Sequence, residues 1–118
     1  MPSTVLIVDD HAGFRSFART LLESEGFDVV GDAADGGSAL AEAERLQPAV
    51  VVLDIQLPDI DGFEVAERLA EFSQPPAVVL VSTRDAPSFR RRLEASPARG
   101  FIPKHELSAQ TIDAVLST

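Results

Sequence analysis

Cysteine is missing from all 118 residues, which excludes disulfides, thiolate metal centres and cysteine nucleophiles. Long apolar runs are missing too, since none approaches the ~20 residues that a membrane-spanning helix needs. Met1-Pro2-Ser3-Thr4 leads into a short apolar run closed by two aspartates, not into the basic and then long-apolar pattern of a secretory leader. The expectation is a soluble, cytoplasmic protein that makes no use of a membrane. Positive charge is scarce. Ten Lys and Arg stand against nineteen Asp and Glu, for a formal net charge of −9. Such a surface does not displace counterions from nucleic-acid phosphates, so direct nucleic-acid binding is not expected. The deficit is uneven. From Arg84 to Lys104 six basic residues outnumber two acidic ones, a local balance of +4 that leaves −13 for the remainder.

The familiar catalytic signatures G-x-G-x-x-G, G-x-S-x-G and H-E-x-x-H are absent. Gly31-x₄-Gly36-Gly37-Ser38 falls short of a phosphate-binding loop because a glycine stands where the lysine belongs. Asp35-Gly36-Gly37 reads instead as a turn and cap ahead of a helix.

Short β-branched runs alternate with segments of helical period. The runs are Val5–Val8, Val29–Val30 with its neighbours, Val50–Leu53, Val78–Val81 and Phe101–Ile102. Phe14, Phe17, Ala18 and Leu21 recur at helical spacing with Arg15 and Arg19 outside the stripe. Leu40, Ala43 and Leu46 form a second stripe, and Asp61-x-x-Glu64 reads as a capping box ahead of Val65, Ala66 and Leu69. Phe89 and Leu93 make a weaker fourth stripe. Ser108 can cap a fifth helix carrying Ile112, Val115 and Leu116. Five strand–helix pairs with strands apolar on both faces imply a mostly parallel sheet between two helical layers. Right-handed crossovers then bring every strand's C-terminal end to one edge, where sites in such folds lie. Pro103 fits the last strand only if that strand is an edge. The length suits one domain. Residues 1–118 are expected to form it, with no effector domain in the chain.

The strand ends carry chemistry. The first closes on Asp9-Asp10, the third on Asp54, the fourth on Ser82-Thr83 and the fifth on Lys104. Three crowded carboxylates repel unless a cation intervenes, and Mg²⁺ prefers an all-oxygen set of one or two carboxylates, waters and phosphate. A carboxylate is also a nucleophile toward phosphorus, and a lysine can balance charge on a phosphate oxygen. Each residue alone has a plainer reading. Asp9 and Asp10 could form a solvated turn, Ser82 and Thr83 could be turn residues, Phe101 a fixed core aromatic, and Lys104 a surface lysine. His11 reads as an exposed loop residue. Arg90-Arg91-Arg92 reads as a solvated helix face or, equally, as a contact for a partner or a second copy.

Taken in order, Val-Leu-Ile-Val-Asp9-Asp10, Val-Val-Leu-Asp54-Ile-Gln-Leu-Pro58-Asp-Ile-Asp61-Gly62, Val-Leu-Val-Ser82-Thr83 and Gly100-Phe101-Ile-Pro-Lys104 resemble the receiver domains of two-component response regulators over essentially the whole chain. The resemblance implies a flavodoxin-like (βα)₅ sheet of order 2-1-3-4-5. It implies that Asp54 accepts phosphate from a histidine kinase or phosphotransfer protein, and that Asp10, Asp54 and the Gln56 carbonyl ligate Mg²⁺ with Asp9 acting partly through water. Lys104, Ser82 and Thr83 would serve the phosphoryl group, while Ser82 and Phe101 would switch the surface of the fourth helix, fifth strand and fifth helix. No reaction beyond the domain's own phosphorylation and dephosphorylation is implied. Phe-Ile-Pro-Lys-His-Glu-Leu-Ser resembles the subfamily with a C-terminal helix-turn-helix effector. In two respects the chain departs from the pattern: His105 follows Lys104 where the family often has proline, and Thr83 is bulkier than the usual small residue. Two other readings remain, a phosphate-independent binding module and an aspartyl-phosphate phosphatase. The latter needs an acid two residues beyond Asp54, where Gln56 stands and cannot serve.

Overall fold

A computed structural model describes residues 3–84 and 86–117. Five strands, β1 (Thr4–Val8), β2 (Asp28–Ala33), β3 (Val50–Asp54), β4 (Ala77–Ser82) and β5 (Gly100–Pro103), alternate with five helices. These are α1 (Ala12–Ser24), α2 (Gly36–Leu46), α3 (Gly62–Ala70), α4 (Arg90–Ala95) and α5 (Ala109–Leu116). The strands pair in parallel in the order β2-β1-β3-β4-β5, the α/β doubly wound arrangement expected.

The alternation of strand side chains explains the two helical layers. Val5, Ile7, Val50, Val52, Val79 and Val81 point to one face, where Ala18 and Leu22 of α1 and Ile112 of α5 cover them. Leu6, Val8, Val51, Leu53 and Leu80 point to the other, under Ala39, Ala43, Val65, Leu69 and Phe89. Each fully buried aliphatic side chain contributes roughly 1.5–3 kcal/mol. β1 and β3 are inaccessible over nearly their whole length, which is why they read as unbroken apolar runs.

The edges of the sheet differ from its centre. β5 is four residues long and ends on Pro103, opposite Ser82, so the proline does lie on an edge strand. β2 at the other edge carries Asp28 and Asp32, and its register with β1 shifts between Val5 and Leu6.

Several helical expectations need correction. In α1 the stripe is rotated: Leu22 and Ala18 are the fully buried residues, Leu21 is half-buried, and Phe17 stays 57% exposed. Arg15 and Arg19, outside the stripe, are nonetheless both engaged. Arg15 donates to the Asp9 carbonyl at 2.7 Å and Arg19 to the Val29 carbonyl at 3.1 Å, so both brace α1 against the sheet. Asp61 does cap α3 by accepting from the Phe63 N–H at 2.7 Å. Glu64, however, pairs with Arg68 and does not close a box onto the cap. Phe89 belongs to a turn of 3₁₀ helix (Ala86–Phe89) ahead of a six-residue α4. At α5 the cap is complete: Ser108 and Thr111 exchange side-chain-to-backbone hydrogen bonds in a capping box. Asp35 caps α2 by accepting from the Ser38 N–H at 2.7 Å.

Candidate functional site

The C-terminal ends of β1, β3 and β5 converge on one cluster. Asp9 follows β1 and is completely buried; its backbone N–H donates to the Ala33 carbonyl. Asp54 ends β3 and is 3% exposed. Lys104, which begins a single 3₁₀ turn after β5, reaches back between them. Its Nζ lies 2.5 Å from Asp9 Oδ2 and 3.4 Å from Asp54 Oδ2. The shorter contact is a close ion pair that sets the ammonium directly on the buried Asp9 oxygen. Lys104 Nζ also sits 4.6 Å from the centre of the Phe14 ring, whose π face favours a cation. All the described peptide bonds are trans, those around Lys104-His105 included.

The electrostatics follow from the crowding. Burial and the neighbouring Asp9 raise the Asp54 carboxyl above its ordinary 3.8. The Gln56 N–H, donating to Asp54 Oδ1 at 3.2 Å, and the Lys104 ammonium pull it back. Two carboxylates share one lysine, and a further cation would relieve the excess.

Asp10 is more open and stands beside Asp9. Ligand atoms of Asp9, Asp10, His11 and Asp54 all lie within 4.8 Å of one another. The carboxylates of Asp9, Asp10 and Asp54 give a hard, oxygen-rich donor set of the kind that fits a divalent ion such as Mg²⁺. His11 is exposed, as expected. Its ring is nonetheless not free, because Nδ1 lies 3.0 Å from Asp10 Oδ1 and 3.2 Å from Asp9 Oδ1.

Other candidate residues take varied positions. Ser82 is completely buried at the end of β4, and its Oγ accepts from the Arg84 N–H at 3.0 Å. Thr83 is exposed and shares a shallow depression with His11, Phe14, Phe17, Lys104 and His105. The Gln56 side chain is exposed. Phe101 is half-buried and rests against Phe89, with ring centres 6.3 Å apart; Phe89 in turn meets Phe63 at 6.0 Å.

Three features of the site were not read from the sequence. The loop from Asp54 to α3 is folded tightly: the Gly62 N–H donates to the Ile55 carbonyl at 2.9 Å, and a Cβ on Gly62 would collide with the Asp54 carbonyl oxygen. Only glycine fits that approach. Asp59 reaches from this loop to the start of α2, accepting from the N–H groups of Gly36 at 2.8 Å and Gly37 at 2.9 Å. Those two bonds lower the Asp59 carboxyl from 3.8 to about 2. Arg92 of α4 donates to Asp61 at 2.6 Å and stacks 4.3 Å from the centre of the Phe63 ring.

Residues 5–116 match the response regulator receiver domain family. The chain belongs to that family. Relatives and neighbours agree. The virulence-factor positive transcription regulator BvgA of Bordetella pertussis is 40% identical over 114 residues, covering 97% of this chain and 54% of its own length. The signal receiver domain of the response regulator NarL from Mycobacterium tuberculosis superposes with a TM-score of 0.87 at 30% identity, over 99% of this chain and 98% of that one. A chain in the CheX–CheY–BeF₃–Mg²⁺ complex of Borrelia burgdorferi superposes with a TM-score of 0.86 at 28% identity, over 99% and 89%. The receiver spans about half the length of the transcription regulators it matches in sequence. Among the described residues no helix is long and apolar enough to cross a membrane.

Proposed function

We propose that this receiver is a phosphorylation-dependent switch in which Asp54 takes a phosphoryl group from a histidine kinase or phosphotransfer protein. The observation that carries the reading is the convergence of Asp9, Asp54 and Lys104 in a pocket where the aspartates are buried and the ammonium touches both. An Asp54 oxygen attacks phosphorus, a P–O bond forms, and the P–N bond to the donor imidazole breaks. The chain's part is mainly to position groups and offset charge. Lys104, shared between two carboxylates, is placed to move its charge onto a phosphate oxygen. Ser82 Oγ spends an acceptor lone pair on the Arg84 N–H, which leaves its O–H to donate to another phosphate oxygen. Thr83 lies at the mouth.

Asp10, Asp54 and the Gln56 carbonyl are the proposed Mg²⁺ ligands, with Asp9 acting partly through water. Mg²⁺ bound there supplies charge neutralisation and orientation for phosphoryl transfer. The BeF₃ and Mg²⁺ in the Borrelia burgdorferi complex support the reading, because that complex holds a chain of the same fold.

Phosphorylation would shift Ser82 and Phe101 and so remodel the surface of α4, β5 and α5. The Phe63–Phe89–Phe101 contacts give that shift a route toward α4. Driving such an equilibrium from 1:99 to 99:1 takes about 5.5 kcal/mol of differential binding. The likeness to transcription regulators supports control of transcription as the output in a longer protein, with the exposed Arg90 and Arg91 offered to a partner or a homodimer while Arg92 is held by Asp61 and Phe63.

The test is incubation with acetyl phosphate and Mg²⁺, followed by intact-mass measurement. One added phosphoryl group is expected, lost in Asp54→Asn and on chelation. A folded native protein that takes no label would instead mark a phosphate-independent binding module.

A further inference from the structure

We infer that Arg92, Asp61 and Phe63 form a latch that holds α4 in the unphosphorylated arrangement and so slows the uptake of a phosphoryl group at Asp54. The inference rests on the reading of this receiver as a phosphorylation-dependent switch and adds to it a restraint. The latch joins a fixed element to a lightly held one. On the fixed side Asp61 uses both carboxylate oxygens. Oδ1 accepts from the Phe63 N–H at 2.7 Å and caps α3, while Oδ2 accepts from Arg92 Nη2 at 2.6 Å. α3 buries Phe63, Val65, Ala66 and Leu69. Gly62, next to Asp61, lies against the Asp54 carbonyl and donates to the Ile55 carbonyl at 2.9 Å. That loop does not move without disturbing the phosphoacceptor itself. On the other side stands α4, six residues long with no side chain fully buried.

A second contact ties the same arginine to the aromatic chain. The Arg92 guanidinium lies 4.3 Å from the centre of the Phe63 ring. Phe63 meets Phe89 at 6.0 Å, and Phe89, the residue before α4, meets Phe101 at 6.3 Å. When Phe101 turns inward, Phe89 loses that neighbour and α4 must resettle. Arg92 then either leaves Asp61 and the ring or holds α4 back. A contact made in one arrangement and lost in the other biases the equilibrium by its whole worth. An exposed ion pair with a cation over a ring adds little to stability, yet its worth corresponds to about a fivefold change in population.

The plainer account is a surface pair that fastens α4 and persists in both arrangements. It leaves the rate of phosphorylation untouched.

Initial rates of labelling by acetyl phosphate with Mg²⁺, followed by intact mass, separate the two accounts. The proteins are the native chain, Arg92→Ala, Asp61→Asn, the double variant and Arg91→Ala. Asparagine still caps α3, and Arg92 and Asp61 are 53% and 40% exposed, so these replacements leave the core intact. Arg91 is exposed and makes no ion pair among the described residues, so it controls for charge on α4. The expected result is labelling about fivefold faster in both single variants, a double variant no faster than Arg92→Ala, and a native rate in Arg91→Ala. The two single variants change the net charge in opposite directions, so a shared acceleration does not come from attraction of the anionic donor. A native or slower rate in either single variant, or an equal acceleration in Arg91→Ala, would overturn the latch while leaving the switch standing. A native chain that takes no label would remove the switch reading itself, and the latch with it.

Discussion

α1 runs 13 residues, buries Ala18 and Leu22 completely, and ties Arg15 and Arg19 to backbone carbonyls of the sheet side. α4 runs six residues and buries none of its side chains fully. Its anchors are the half-buried Leu93, the Phe89 ring just before it, and Arg92 reaching across to Asp61 and Phe63. α1 begins beside the acidic cluster at His11, and α4 reaches the loop after Asp54 through Arg92 and Asp61. The contrast teaches where each task lies: Asp9 and Asp10 sit on the tightly held β1–α1 side, and the element proposed to move is attached by few contacts, as elements that open at low free energy are.

The comparison can be broken most directly by matched truncations. Leu22→Ala in α1 is expected to cost about 3 kcal/mol in urea unfolding, and Leu93→Ala in α4 about 1 kcal/mol. Equal losses would mean that α4 is as firmly packed as α1. The arginines give a smaller pair of effects. Arg15→Ala removes a charged hydrogen bond to the Asp9 carbonyl and an ion pair to Asp32, for about 2 kcal/mol. Arg92→Ala removes an exposed ion pair and a ring stack, for about 1 kcal/mol. Its clearer readout is faster amide hydrogen exchange confined to α4. Exchange that quickens across α1 as well would contradict local attachment.

Two carboxyls sharpen the picture through pH. Asp54 titrates above its ordinary 3.8 in the fold. Just above 3.8 the folded chain therefore holds a proton that the unfolded chain has released, and stability falls as pH rises through that interval. Asp54→Asn removes the loss and leaves Lys104 paired with Asp9 alone. A gain of about 1 kcal/mol at neutral pH is expected by denaturant titration. Asp59 has the opposite sign. Its folded value of about 2 lies below 3.8, so its contribution is complete above 3.8 and is lost as pH falls toward about 2. Asp59→Asn should lower stability at neutral pH and converge with the native chain near pH 2. Parallel curves would deny the carboxylate its role at the start of α2.

What the sequence disclosed, and what it did not, divides along the same physical line. β1, β3 and β4 announce themselves as apolar runs because they are covered on both faces. Asp9, Asp54, Ser82 and Lys104 are legible because each stands directly at a strand end, and a parallel sheet gathers strand ends on one edge. The α1 stripe was displaced because Phe17 is apolar yet exposed, and periodicity cannot tell which flank of a stripe meets the sheet. Asp59 to Gly36 spans 23 residues and Arg92 to Asp61 spans 31. Contacts at that separation leave no period in the chain. The Glu64 box failed because Arg68, one turn on, competes for the carboxylate.

The two open margins of the sheet bear on how molecules of this kind meet. A bare strand margin is a template on which another chain can lay a strand. Here one margin is a four-residue segment closed by Pro103, which lacks an amide donor, and the other bears Asp28 and Asp32 and a break in register. Neither invites extension of the sheet from molecule to molecule. A second copy would have only the helical flanks to meet, away from the fibrous stacking that an exposed parallel sheet would otherwise risk.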